Sequence, residues 1–298
     1  MEALLAALGD EVQDVDEESF ELFFQNSALP DLGMIDPKTS PLELSIAGRE
    51  FNITQSPGAL QSKRKEGTTG AAVWQTSVRV AEWLSSSSNV LFTSGILDGT
   101  NTALELGSGV SGIVPCILVP RVETVVATDQ EHLLKIMREN ITANVIRAPG
   151  HRSTHTSRKR GNRREPAIGD VKVFALDWEE DDVQKVLASH GFAEGVDAIV
   201  ACDCIFNYAL IEPLMQTCRG ICSLRRQRRD DGSDQTDQRP TVGVIAQQLR
   251  QAEVFEQWLQ ASLRWFRVWR APDNALTEGL RAGSGFAVHI CILRDGQA

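Results

Sequence analysis

The stretch Thr102–Gly112 reads Thr-Ala-Leu-Glu-Leu-Gly-Ser-Gly-Val-Ser-Gly and holds the residues best suited to chemistry. A short apolar strand (Ala103–Leu106) runs into a turn carrying Gly107, Gly109 and Gly112, and an apolar run suited to a helix, Ile113–Val119, follows. A strand end, a glycine turn and a helix N-terminus together form a floor for a nucleotide-like ligand. The glycine spacing alone does not select a cofactor, because several classes share it. Glu105 does more. An acid two residues before the first glycine repels a diphosphate, and it suits the ammonium and sulfonium charges of S-adenosylmethionine. Ser108, between the first two glycines, joins the same candidate pocket.

Three further acids fall at the ends of predicted strands. Asp129 closes the second strand of the series, where a carboxylate can accept both ribose hydroxyls of either cofactor, or cap the helix that opens at Gln130. Asp177-Trp178 closes the third; an acid can bind an adenine amine while an aromatic ring packs on the base. A helix cap beside a core tryptophan is the competing reading. Ala201-Cys202-Asp203-Cys204-Ile205-Phe206 closes the fourth, so Asp203 is expected to project into the crevice above the sheet. Cys202 and Cys204 are spaced poorly for chelation, Cys218 and Cys222 lie four apart on a helix, and no His lies near, so no metal is expected.

The elements that must position these residues alternate regularly. Strands at 103–106, 122–127, 171–176, 197–201 and 242–246 are each followed by a helix, at 113–119, 131–145, 181–190, 209–222 and 252–263. Such alternation implies a mostly parallel sheet covered on both faces. Phe266–Ala271 and Phe286–Leu293, with no helix between them, suggest an antiparallel hairpin at the end. The expected fold is therefore α/β: a Rossmann-like, seven-stranded, mostly parallel sheet with an antiparallel C-terminal hairpin. Residues 1–60 form an extension, with an acidic amphipathic helix from about Glu17 and a β-hairpin over Leu42–Ile46 and Phe51–Ile53. Residues 61–298 form the catalytic domain, with mobile insertions near 147–166 and 224–240.

Bulk properties limit the function classes. The 298 residues carry a net charge of -10, so the chain as a whole is not built to coat nucleic acid. Residues 1–31 hold nine acids and no Lys or Arg, which reads as a solvated tail with one docking helix, or a partner-binding arm. Arg147–Arg164 holds seven Lys/Arg and two His with no acid. It is expected to be a solvated surface loop, with RNA contact as its functional alternative. No apolar run approaches the roughly 20 residues needed to span a bilayer, and the N-terminus lacks a basic n-region and a cleavage site. Six sparse cysteines within apolar segments read as reduced core residues, and a cytoplasmic protein, or a nuclear one, is expected.

Four motifs in order carry a family resemblance: Thr69-Gly-Ala-Ala-Val-Trp74, Leu104-Glu-Leu-Gly-Ser-Gly-Val-Ser-Gly112, Leu176-Asp-Trp178 and Ala201-Cys-Asp-Cys-Ile-Phe206. Together they resemble the seven-stranded protein-lysine methyltransferases of the family 16 group, and within it the fungal ribosomal lysine N-methyltransferase 5 family, over about Glu66 to Leu293. The resemblance implies S-adenosylmethionine contacts by Trp74, Gly107, Ser108, Gly109, Asp129, Trp178 and Ala201, and methylation of a lysine in a large-subunit ribosomal protein. Asp203 and Phe206 are the candidate catalytic pair: a carboxylate to hold the incoming lysine and a ring to wall its channel. The family's Asp-x-x-Tyr departs here to Asp203 with Phe206, and the chain's only tyrosine, Tyr208, comes two residues later. A nicotinamide-dependent oxidoreductase explains the glycines but neither Glu105 nor the closing hairpin. A non-catalytic cofactor-binding protein, or a methyltransferase for another protein nucleophile, also stays open. The absence of Asn-Pro-Pro-Tyr after the fourth strand argues against amide and adenine amine acceptors.

Overall fold

The structure is a computed structural model; it describes residues 1–25, 33–60, 68–145, 169–230 and 239–296, the side chains of residues 25 and 226–230 excepted. The basic stretch Arg147–Arg164 lies outside the described residues apart from its approach at Val145. The chain opens with helices α1 (Glu2–Leu8) and α2 (Val15–Gln25), then strands β1 (Leu42–Ile46) and β2 (Arg49–Ile53). Short helix α3 (Pro57–Leu60), α4 (Gln75–Ser85) and α5 (Val90–Thr93) lead to the repeating part. That part runs β3 (Thr102–Leu106), α6 (Ile113–Leu118), β4 (Thr124–Asp129), α7 (Leu134–Asn144), β5 (Asp170–Ala175) and α8 (Val183–Ser189). It continues β6 (Ala198–Cys202), α9 (Tyr208–Asp230), β7 (Val242–Gln248), α10 (Ala252–Trp265), β8 (Phe266–Arg270) and β9 (Phe286–Leu293).

Seven strands form one sheet in the order β5-β4-β3-β6-β7-β9-β8, parallel except for β9, which runs against both neighbours. This is the sheet expected from the alternation. The central strands β6 (Ala-Ile-Val-Ala-Cys) and β9 (Phe-Ala-Val-His-Ile-Cys-Ile-Leu) are buried along their whole length, because helices cover both faces. Helices α4, α6 and α7 pack on one face with α1 and the β1–β2 hairpin; α8, α9 and α10 pack on the other with Leu22 of α2. All six cysteines are buried and reduced, and burial pushes the Cys116 thiol up to about 12. No helix among the described residues is long and apolar enough to cross a membrane.

Two elements differ from expectation. The insertion placed at 224–240 begins instead as helix: α9 runs on to Asp230, and Leu224 is buried against the core. The high density of charge hid this, although Arg and Gln, which fill positions 225–229, are good helix formers. The extreme N-terminus forms α1, whose Leu4 and Leu8 sit one turn apart and are buried.

The N-terminal extension is stitched to the sheet by polar groups. The β1–β2 turn is two residues, Ala47 and Gly48, both at positive φ (50° and 74°), the geometry that matches the twist of paired strands. Asn144 of α7 exchanges two hydrogen bonds with the backbone of Asn52 (2.9 and 3.0 Å), imitating a neighbouring strand. Asn140 does the same for Thr54 (2.9 and 2.9 Å) and also donates to the Val110 carbonyl in the glycine turn (2.7 Å). At the far sheet edge the segment before α2 covers β8: the Val12 amide donates to Val268 O (2.8 Å). An exposed edge would otherwise invite pairing with another chain.

The edge is also held by charge. His289 of β9, fully buried, lies 2.9 Å from Glu18, and Arg270 reaches both Glu18 and Glu21. Burial pushes the Glu18 carboxyl up, but the hydrogen bond to His289 and the charges of His289 and Arg270 outweigh it and hold the group below its ordinary 4.5. A carboxylate so depressed contributes stability above its unfolded value, and that stability is lost as pH falls through the lower folded value. Glu18→Ala is therefore expected to cost about 1–3 kcal/mol at neutral pH by orphaning His289. In urea unfolding the deficit against the parent chain should narrow below pH 4.5; a deficit independent of pH contradicts the assignment.

Candidate functional site

The carboxyl ends of β3, β4 and β6 and the loop before α8 surround a cleft of about 530 Å³. Its floor is the glycine turn. Gly107 (φ 69°) and Gly109 (φ 60°) sit in the left-handed region. A Cβ on Gly107 would lie 2.8 Å from Cys204 Sγ and 3.3 Å from the Trp178 ring; one on Gly109 would lie 2.9 Å from the Gly70 carbonyl oxygen. The turn thus carries glycine twice because neighbours occupy the space a side chain needs.

The turn's amides are consumed by the protein itself. Ser108 N donates to Thr128 O (3.0 Å), Gly109 N to Asp129 Oδ2 (2.7 Å) and Val110 N to Gly70 O (2.8 Å). A phosphate-binding loop works by aiming such amides at the ligand. This one aims three in succession at its own carbonyls and carboxylate, so it offers little to a diphosphate. Asp129 therefore holds the turn; it also accepts the Gln130 amide (2.8 Å), and the short helical turn beginning at Glu131 has no side-chain cap. Burial raises the Asp129 carboxyl, against the two backbone bonds that favour its charge.

Of the residues singled out in the sequence, Trp74, Gly107, Ser108, Gly109, Asp129, Asp177, Trp178, Asp203 and Phe206 all line this one cleft. Glu105 and Ala201 do not. Ala201 has no exposed surface; Cys202, which ends β6, and Cys204 beyond it line the cleft. Glu105 points beneath the turn instead of into the cleft. It is 2% exposed, and its Oε2 has no hydrogen-bond partner. Burial pushes its carboxyl up to about 8; the Ser108 hydroxyl, nearby but itself without a closed hydrogen bond, pulls the other way, and the Asp129 charge adds to the rise. The Ser108 Oγ is thus a buried, unpartnered polar atom in the wall of the cleft.

Asp203 stands where β6 ends, with φ at 60°, unusual for a residue bearing a Cβ and a form of strain that gathers at working sites. Its carboxylate is not open as expected. Arg250 grips it through both nitrogens (2.7 and 2.5 Å), and the Arg250 guanidinium lies 5.4 Å from the Trp74 ring centroid and donates to Gln248 Oε1 (2.9 Å). Gly33 roofs this cluster at positive φ, where an added Cβ would collide with the Gln248 side chain. Sequence reasoning missed Arg250 and Gln248. Their only signal was position: they close β7, at the same end of the sheet as Asp203. Phe206 lines the cleft and is 42% exposed; Tyr208, 49% exposed, opens α9 two residues on.

Residues 55–159 match the lysine methyltransferase family. The curated relatives include the ribosomal lysine N-methyltransferase 5 of Zygosaccharomyces rouxii, 28% identical over 72% of this chain and 70% of that protein. The Kluyveromyces lactis protein of the same name is 26% identical over 85% and 88%. A Schizosaccharomyces pombe protein named diaminohydroxyphosphoribosylamino-pyrimidine deaminase is 30% identical over 86% of this chain; the chain spans about half (53%) of its length. Among solved structures, an rRNA methylase from Streptococcus thermophilus aligns over 74% of this chain at 12% identity and a TM-score of 0.39. Another, described as a methyltransferase complexed with S-adenosylhomocysteine, aligns over 86% at 10% identity and 0.43. The family resemblance carried by the four sequence motifs is the one these comparisons find.

The buried acid gives a test independent of any ligand. Between pH 4.5 and about 8 the unfolded chain has released the Glu105 proton and the native one has not. The native state binds more protons there, so stability falls as pH rises across that window. Glu105→Gln is expected to be more stable than the parent at pH 8, by on the order of a few kcal/mol, and to lose that advantage near pH 4.5. Equal thermal unfolding of the two at pH 8 overturns the assignment.

Proposed function

We propose that the chain is an S-adenosylmethionine-dependent protein-lysine N-methyltransferase whose substrate is a lysine of a large-subunit ribosomal protein. The observation that carries the reading is the glycine turn whose three amides are internally satisfied. A floor of this kind suits a nucleoside bearing positive charge better than one bearing phosphates. The family match and the names of the yeast relatives supply the reaction and the substrate class.

The residues present fit such a cofactor. Asp129 keeps lone pairs for ribose hydroxyls, Trp178 presents a ring beside the turn for the base, and Asp177 sits next to it for the exocyclic amine. Ser108 brings an unpartnered hydroxyl. Glu105, beneath the turn, gains reason to ionise when a cation arrives above it. S-adenosylmethionine supplies an activated methyl group for in-line displacement, so the protein's work is mostly positioning the amine.

A lysine amine, with an ordinary pKa near 10.4, must arrive without its proton. Phe206 and Trp74 flank the mouth, and a side chain passing between them sheds water, which favours the neutral amine. Asp203 arrives already paired with Arg250, so it offers the amine an oriented acceptor without an uncompensated charge. The proton leaves to solvent on entry.

The deaminase name of the Schizosaccharomyces pombe relative suggests other chemistry. Zinc deaminases carry His-x-Glu with Pro-Cys-x-x-Cys; neither pattern occurs in the 298 residues. Among the described residues no group of His, Cys, Asp or Glu is placed to hold a metal. Methyl transfer therefore remains the better reading.

Purified protein incubated with labelled S-adenosylmethionine and an extract lacking the activity should label a ribosomal protein at lysine, identified by mass spectrometry. Asp203→Ala should lower that labelling at least 100-fold while S-adenosylhomocysteine affinity stays within a few fold. Gly107→Arg, which drives a side chain into Cys204 and Trp178, should abolish S-adenosylhomocysteine binding in calorimetry with the far-UV spectrum retained. Full binding by Gly107→Arg, or full turnover by Asp203→Ala, overturns the reading.

A further inference from the structure

The outer face of α2 has no role in the cleft, yet it carries an arrangement that burial does not explain. Phe20 and Phe24 are 69% and 78% exposed, and their rings stack with centroids 5.4 Å apart. The helix already anchors itself with its other side: Leu22 is buried, Phe23 meets Phe255 edge-on at 5.9 Å, and Ser19 donates to Glu256 (2.7 Å). At 100° per residue, Glu17 falls on the same stripe as the two phenyl rings, and Glu21 borders it, already paired with Arg270. The only other exposed large apolar side chains among the described residues are Phe206, which lines the cleft, and Tyr208, two residues on.

These two places lie at the same end of the sheet. Helix α9 starts at Tyr208 on the cleft rim, and α10 starts at Ala252, two residues past Arg250. α10 packs against α9, and α2 packs on the first turns of α10 through Phe255 and Glu256. Two helix-to-helix contacts, α9 with α10 and α10 with α2, therefore link the rim of the cleft to the helix that bears the phenyl pair. Glu253 is exposed on the first turn of α10.

We propose that this face of α2 docks a basic segment of the protein substrate, one that mixes Lys or Arg with apolar residues and lies outside the stretch held in the cleft. The proposal rests on the methyltransferase reading. The charge selects this occupant over two others. Residues 26–32 (Asn-Ser-Ala-Leu-Pro-Asp-Leu), which follow α2, contain an acid and no base, so they do not complement Glu17. A second copy would bring the same acidic stripe against itself, since a two-fold interface pairs identical patches. A ribosomal protein, built to neutralise RNA phosphates, carries the complementary charge.

The test uses the full chain and a fluorescein-labelled peptide of four Lys-Leu-Ala-Lys repeats, followed by anisotropy. The peptide should bind, more weakly as salt rises, and should bind equally with S-adenosylhomocysteine present. Phe20→Ser/Phe24→Ser should weaken binding at least 10-fold and Glu17→Lys at least 5-fold, with far-UV spectra unchanged because all three side chains are exposed. Equal affinity in these variants, or loss of the peptide on adding S-adenosylhomocysteine, overturns the proposal. So does binding that appears only after residues 26–32 are deleted, or sedimentation of the parent as a dimer that the double variant dissolves. If S-adenosylhomocysteine fails to bind while the peptide results hold, the methyltransferase reading fails and the docking face stands.

Discussion

Asp129 accepts the Gly109 amide while Gly70 accepts the amide of Val110, and the approach that permits this leaves 2.9 Å between the Gly70 oxygen and any Cβ on Gly109. The architecture at the carboxyl end of the sheet follows from that contact. It ties the loop before α4 to the turn after β3 and the end of β4, three segments far apart in sequence. It uses up the donors that would otherwise make a phosphate site. It also brings two buried carboxyls together, close enough that the charge of Asp129 disfavours that of Glu105. Glu105 answers that charge by keeping its proton up to about pH 8. Burying acids in this way costs stability, and groups so perturbed gather at functional sites.

Much of this was legible in the sequence because the sheet strands are buried on both faces and so spell themselves out as apolar runs. Strand ends then located Asp129, Asp177 and Asp203, since the residue after an apolar run in a parallel strand faces the crevice. What was not legible came from contacts between distant segments. Nothing in Gln-Gln-Leu-Arg says that Arg250 will grip Asp203, and nothing before Gly33 says that its missing side chain makes room for Gln248. Glu105 was expected to point into the pocket, but it lies buried outside the cleft lining. The helical reach of α9 to Asp230 was hidden by charge, which marks solvent exposure but says little about backbone conformation.

The extension of the first sixty residues is part of the same apparatus. Asn140 joins the β1–β2 hairpin and the glycine turn through one side chain, Gly33 roofs the Asp203–Arg250 pair, and Glu18 with His289 fastens the arm to β9. Each contact is polar and specific in direction, so the extension contributes geometry to the cleft as well as buried area.

The six cysteines gain a use from their burial. A thiol whose proton is held up to about 12, as at Cys116, stays almost wholly in its unreactive form at neutral pH and has no solvent contact. Cys204 instead lines the cleft beside Gly107 and is 6% exposed. Alkylation of a thiol then becomes a clock, at Cys116 for the opening of its buried layer and at Cys204 for access through the cleft. A ligand seated on the glycine turn would slow the clock at Cys204 while leaving that at Cys116, on the far side of the sheet, to keep the time of the whole fold.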